Sequence, residues 1–223
     1  LTKGFRSGFD GIYSYPNVLF LIVSLLGFAL STVVCLFLGK PVNILVIIMT
    51  VLTLLVGMRN AYSNNGSDQL ANIILVCLAI AMLQPGSTLI RTLSVVFIVF
   101  QIELSYITSG VYKLIGPGWR NGSSLKGVLS TGQFGNAHLK RWMDSNPVTY
   151  ILMSFGIIFG EILLGLSFLL PPELCLFMLS VGVLFHLSVA VIMGFNTFVW
   201  TFLAAYPAVY YASLELNAMH TAR

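Results

Sequence analysis

The sequence predicts an all-α membrane protein, a single polytopic bundle of about six or seven transmembrane helices. Three observations carry that expectation. Of 223 residues, 57% are hydrophobic and only 8% charged, whereas a soluble domain carries roughly 25% charged residues. Mean hydropathy is +0.94. Apolar runs of near-spanning length, about 20 residues each, recur between Pro, Gly and polar breaks. The same figures exclude disorder, collagen, coiled coil and a secreted disulfide scaffold.

The elements follow in order. Residues 1–16 mix glycine, aromatics and charges, too polar to span, and are expected to lie at the interface. Position 1 is Leu rather than Met, so further N-terminal sequence is expected. The transmembrane domain is assigned to 17–214. Its first run is Asn17 to Leu38, broken by Gly39-Lys40-Pro41; the second, Val42 to Met58, ends at Arg59-Asn60. Ser63-Asn64-Asn65-Gly66-Ser67-Asp68 is a turn and cap cluster that starts the third helix near Gln69. Pro85-Gly86 closes it. The fourth run spans Leu89 to Leu114, and the polar stretch 115–147 is expected as an interfacial helix or re-entrant loop. Val148 to Leu170, Leu174 to Met193 and Thr197 to Leu214 complete the seven, with 215–223 as a tail.

Charge placement bears on orientation. With seven spans, Lys3, Arg6, Arg59, Lys113, Arg120, Lys126, Lys140 and Arg141 share one side, against Lys40, Arg91 and Arg223 on the other. The richer side is expected to be cytoplasmic. The net charge of +4 has no clustered basic-aromatic groove behind it, so no nucleic-acid partner is expected. Cys35, Cys77 and Cys175 are isolated in apolar runs, and no Cys/His spacing suits a metal.

An ionisable side chain at membrane depth is costly, about 2.5–3.5 kcal/mol on insertion scales, and marks a candidate site. At 100° per residue, Glu103, Tyr106, Gly110 and Lys113 fall within an arc of about 80° on one helix face. Glu103 and Lys113 stand about 15 Å apart along the axis, too far to pair. The competing interpretation has Glu103 protonated or bonded to a neighbouring helix and Lys113 snorkelling to the headgroups. Gln101, off that face, suits an interhelical bond. Glu161, beside Gly156, Gly160 and Gly165, is expected to bond across a close helix contact. His186 is the single histidine inside an apolar run; a neutral, hydrogen-bonded ring competes there with proton transfer. Trp200, Tyr210 and Tyr211 suit an interface, and Tyr206 precedes Pro207, where a kink is expected.

Lysine serves as a base at neutral pH only where burial disfavours its ammonium. The apolar helix before Lys113 supplies that setting, with no carboxylate closer along the helix than Glu103. Trp119 and the Gly116-Pro117-Gly118 turn are placed to fold back over Lys113 as a lid.

The segment Tyr106-Ile107-Thr108-Ser109-Gly110-Val111-Tyr112-Lys113-Leu114, followed by Gly116-Pro117-Gly118-Trp119-Arg120-Asn121-Gly122, resembles the signature of the HTTM (horizontally transferred transmembrane) family. That family is similar to the membrane domain of vitamin K-dependent gamma-carboxylase. Gln101, His186 with Gly194-Phe195 and Phe198, and Arg59-Asn60 with Gly66-Ser67-Asp68 fit the same type, so the resemblance runs from Arg59 to Trp200. It implies a lysine base at Lys113 that acts with a reduced quinone. Candidate catalytic residues are therefore Lys113, His186 and Glu103; candidate cofactor contacts are Trp119, Tyr106 and Gly110. Departures are plain: Tyr112 stands where the carboxylase has a second lysine, and Trp119 is one residue further from the lysine. No large luminal domain is expected to follow, and charge count puts Lys113 near the cytoplasm whereas the carboxylase site faces outward.

Among bacterial members, the single-domain layout resembles the type that matures a sporulation-delaying peptide toxin. The function expected is assistance in maturation or export of a secreted peptide, with a protein partner, in the bacterial cytoplasmic membrane. Two alternatives are a membrane enzyme of quinol-linked, carboxylase-like chemistry and a structural subunit of a larger membrane complex. Transport built on repeated halves is disfavoured, because no internal repeat is visible.

Overall fold

The computed structural model describes residues 10–59 and 65–221. Lys3, Arg6 and the rest of 1–9, Asn60, the Ser63-Asn64 part of the expected cap cluster, and Arg223 lie outside the described residues. Among the described residues there is helix and turn but no strand. The helices are α1 (Asp10–Tyr13), α2 (Asn17–Phe37), α3 (Asn43–Arg59), α4 (Gly66–Leu83), α5 (Thr88–Ile115) and α6 (Pro117–Arg120). Then come α7 (Ser123–Leu129), α8 (Ala137–Asp144), α9 (Val148–Leu164), a 3-10 turn (Ser167–Leu169), α10 (Pro172–Met193) and α11 (Asn196–Thr221).

Each apolar run is a helix, but the number of spans expected is not shown. By length and composition, α2, α4, α5 and α10 are able to cross a membrane, giving four candidate spans among the described residues. A fifth is reached if α8 and α9, bent by 119° at their junction, count as one broken span. The shortfall from six or seven has physical causes. α3 has 17 residues, roughly 26 Å at 1.5 Å per residue, just under a hydrocarbon core of about 30 Å. α11 is 26 residues long but is diluted by tyrosines, Glu215, Asn217 and His220.

Packing divides the chain into two compact units, residues 1–94 and 95–223. In the first unit, α3 packs against both α2 and α4. α2 ends where Gly39 takes φ +63°, which lets Lys40 N donate back to Cys35 O at 2.8 Å. Thr50 Oγ1 donates to Val46 O at 2.7 Å and reaches Leu75 O at 3.2 Å, linking α3 to α4. α4 begins with a reciprocal cap: the Asn65 side chain accepts from Ser67 N and Asp68 N, and Asn65 N donates to Asp68.

In the second unit the stretch 115–147 is a packed cap of three short helices. Leu125, Leu129, Met143 and Tyr150 form its core, with Trp119, Leu139, Ile157 and Ile192 against them. Gly122 makes this possible. It has φ +78°, and a Cβ there would stand 2.7 Å from Tyr150 Cβ. Asp144 ties the cap, accepting from Lys140 at 2.7 Å, Lys126 at 3.0 Å and Tyr150 Oη at 3.0 Å. α10 opens with Pro172 in its first turn and stops at Gly194, φ +77°. α11 packs along α10 and stays helical through Pro207 to Thr221, so the helix runs on into the expected 215–223 tail.

Candidate functional site

The inner face of α5 supplies the site. Glu103, Tyr106 and Gly110 are buried, Lys113 is half-buried, and the intervening Leu104, Ser105, Val111 and Tyr112 are exposed. This is the arc expected from helical spacing, advancing about 1.5 Å per residue.

At the C-terminal end of α5, Lys113 meets an acid from another helix. Its Nζ donates to Glu161 Oε1 at 2.8 Å and Oε2 at 2.7 Å. It also donates to Ser109 Oγ at 2.5 Å, and Ser109 Oγ donates to Glu161 Oε1 at 3.2 Å. Side-chain exposures are 18% for Lys113 and 8% for Glu161, so lysine is the more open partner. Trp119 closes one side, its ring centroid 5.3 Å from Nζ, within cation–π range. The expected Trp119 contact is therefore present. Snorkelling is not what the geometry shows: Glu103 on the same helix is too far to pair, but Glu161 on α9 stands at the ammonium.

Close approach of α5 and α9 makes that pairing possible. A Cβ on Gly110 would stand 3.1 Å from Ile158 O and 3.2 Å from Ile162 N. A Cβ on Gly165 would stand 3.0 Å from Ile107 N. Gly156 and Gly160, also expected at the contact, have nothing within 4 Å of such a Cβ. Glu161 thus bonds across a close contact, but through Gly110 and Gly165.

About two turns before Lys113 on α5, Tyr106 Oη lies 2.7 Å from His186 Nε2 and 2.7 Å from Tyr206 Oη. Tyr106 and His186 are each 4% exposed. The two rings pack on Phe202, at centroid distances of 5.0 Å from Tyr106 and 4.2 Å from His186. A phenol has one proton to donate, so the chain is directional, and reversing it moves a proton in both bonds. Glu103 lies further along the same face, beside Ser167 of the 3-10 turn.

Of the sequence-derived candidates, Lys113 and Trp119 come together, as do Tyr106 and His186, while Glu103 lies near Tyr106 and Tyr206 without a hydrogen bond to either. Three members of these groups carry no site assignment from the sequence: Glu161, Ser109 and Tyr206. Ser109 sits at i−4 from Lys113, which is a readable signal. Glu161 and Tyr206 come from distant helices. Tyr106 and Gly110 are committed to protein neighbours, His186 with Tyr206 and Ile158 with Ile162 respectively. Of the three expected cofactor contacts, only Trp119 is placed at Lys113 beside open surface. This set does not build a quinone pocket. Among the described residues no cluster of three His, Cys, Asp or Glu could hold a metal ion.

A family model described as the HTTM domain matches residues 79–213. Neither a curated protein nor a solved structure matches the chain.

Proposed function

Because this chain belongs to the HTTM family, we propose that it is an integral membrane protein whose Lys113–Glu161 pair performs acid–base chemistry in the maturation of a secreted peptide. The observation that carries this reading is the position of Lys113 between a buried carboxylate and the surface. A desolvated ion pair costs several kcal/mol per ion before their attraction repays it. Proton transfer from Nζ to Glu161 across 2.7 Å removes both charges and leaves a neutral amine. That amine is a base, and Glu161 is the acid that returns the proton. Ser109 orients both groups, and Trp119 keeps water from one side. No step is assigned to a reduced quinone, because the residues present do not build its pocket.

The peptide substrate, a protein partner and the bacterial cytoplasmic membrane come from the resemblance alone. For topology, the reading takes α3 and α11 as further spans, giving six or seven, supported by their packing along α2, α4 and α10. One observation favours a purely structural role instead: the Lys113–Glu161 pair joins α5 to α9 just where Gly110 brings them together.

Arginine at 113 separates the two. Lys113→Arg keeps the charge and the tie to Glu161 but does not release a proton under working conditions. Wild type and variant are expressed at equal abundance in a strain lacking the gene, and the secreted peptide is followed by mass spectrometry. Loss of maturation with arginine is the expected result. Normal peptide amount and mass would leave only the structural role.

A further inference from the structure

A carboxyl and a hydroxyl lie orphaned together inside the second unit, apart from Lys113. Glu103, midway along α5, is 5% exposed, and Ser167, opening the 3-10 turn after α9, is fully buried. Ser167 lies within reach of the Glu103 carboxyl, yet no hydrogen bond of ordinary geometry joins them: neither Glu103 Oε2 nor Ser167 Oγ has a partner among the described residues. Gly165 is what brings the two elements together: a Cβ there would stand 3.1 Å from Glu103 O.

The other polar groups around Glu103 are Tyr106 on its own helix, Cys175 on α10 and Tyr206 on α11. None of these is a cation, and Lys113 is held by Glu161. A carboxylate buried without a cation is far costlier than the neutral acid. The acid form also gains an O–H donor. Two orphaned polar atoms on facing elements call for one shared partner, and a single water with a donor and acceptor on each side satisfies both.

We propose that Glu103 is a proton-binding site at membrane depth, held neutral and exchanging its proton through one water shared with Ser167. The exchange is balanced and leaves no charge behind. The carboxyl O–H bond breaks as the water takes that proton, and the other carboxyl oxygen takes a proton from the same water. This site stands independently of the chemistry proposed for Lys113.

Infrared absorption of the purified full chain in lipid nanodiscs tests it. At neutral pH the protein shows a protonated-carboxyl band that shifts to lower frequency in D2O, disappears in Glu103→Gln and moves to higher frequency in Ser167→Ala. Absence of the band in wild type, or its persistence in Glu103→Gln, overturns the site. A band unmoved by D2O overturns exchange, and one unmoved by Ser167→Ala overturns the shared water. Mass mapping of wild type after treatment with an apolar carbodiimide, which attacks protonated carboxyls, needs no variant: an adduct on Glu103 is expected, and none would overturn the neutral acid. Lys113→Arg leaves band and adduct unchanged, so failure here and failure of the Lys113 chemistry are distinguishable.

Discussion

Lys113 and Glu161, 48 positions apart in the chain, form a two-toothed ion pair in which Nζ reaches both carboxylate oxygens within 2.8 Å. Breaking a buried pair from one side strands a charge, at a cost of about 3–5 kcal/mol, whereas replacing both partners with apolar groups costs far less. Lys113→Met and Glu161→Leu are each expected to destabilise by that order, and the double variant to recover most of it. Unfolding in mixed micelles with increasing SDS measures all three. Additive losses would show that the pair does not act as a unit.

The glycines of α5 and α9 separate into two classes. At Gly110, alanine meets the backbone of Ile158 and Ile162 at 3.1 and 3.2 Å, as well as the Ile162 side chain. Overpacking of this kind costs about 1–3 kcal/mol. At Gly156 and Gly160 a Cβ meets nothing within 4 Å, and alanine favours helix by up to about 1 kcal/mol. Gly110→Ala is therefore expected to destabilise, with Gly156→Ala and Gly160→Ala neutral or stabilising in the same SDS assay. Equal behaviour of all three would contradict the close contact.

Asp144 is shared by Lys126 and Lys140, whose side chains are 53% and 31% exposed. Exposed pairs contribute little and are screened by salt. Asp144→Asn is expected to lower the melting temperature slightly at low ionic strength, with the difference from wild type closing in high salt. A large loss insensitive to salt would mean that Asp144 supports the cap by packing instead.

Much of this architecture was legible in the residues. The seven apolar runs, the Asn65-Asp68 cap and the polar face of α5 follow from composition, cap chemistry and a period of 3.6, all of them local. Helix pairing is not local. Glu161 reads as a bond across a close contact, but nothing nearby in sequence says that its partner is Lys113. Gly156 and Gly160 carry the same small-residue signature as Gly165, and only the crossing of α5 and α9 selects between them. The span count is left undecided for a related reason: α3 and α11 fall at the edge of what length and apolarity decide. Tyr206 reads as a residue before a proline, because its hydroxyl meets Tyr106 100 positions away.

Tyr106 is the middle link between His186 and Tyr206, and this makes its hydroxyl the most consequential of the three. Tyr106→Phe keeps the ring against Phe202 but leaves both His186 Nε2 and Tyr206 Oη without their shared partner. Each orphaned buried group costs about 1–3 kcal/mol. Tyr206→Phe removes one bond and orphans only one side of Tyr106, so it is expected to cost about half as much. The double variant should then cost little beyond Tyr106→Phe alone. Gly182 offers an independent route to the same bond, because a Cβ there would collide with Tyr206 Oη, the free end of that side chain. Gly182→Ala is expected to displace the phenol and reproduce the Tyr206→Phe loss, and to add to it, when combined, only what pressing on Leu164 Cδ2 at 3.0 Å costs. Ring-nitrogen chemical shifts of His186 should change in Tyr106→Phe and only weakly in the other two. If the stability losses of Gly182→Ala and Tyr206→Phe simply add, the two substitutions act on different contacts and the three-member chain is not a single cooperative unit.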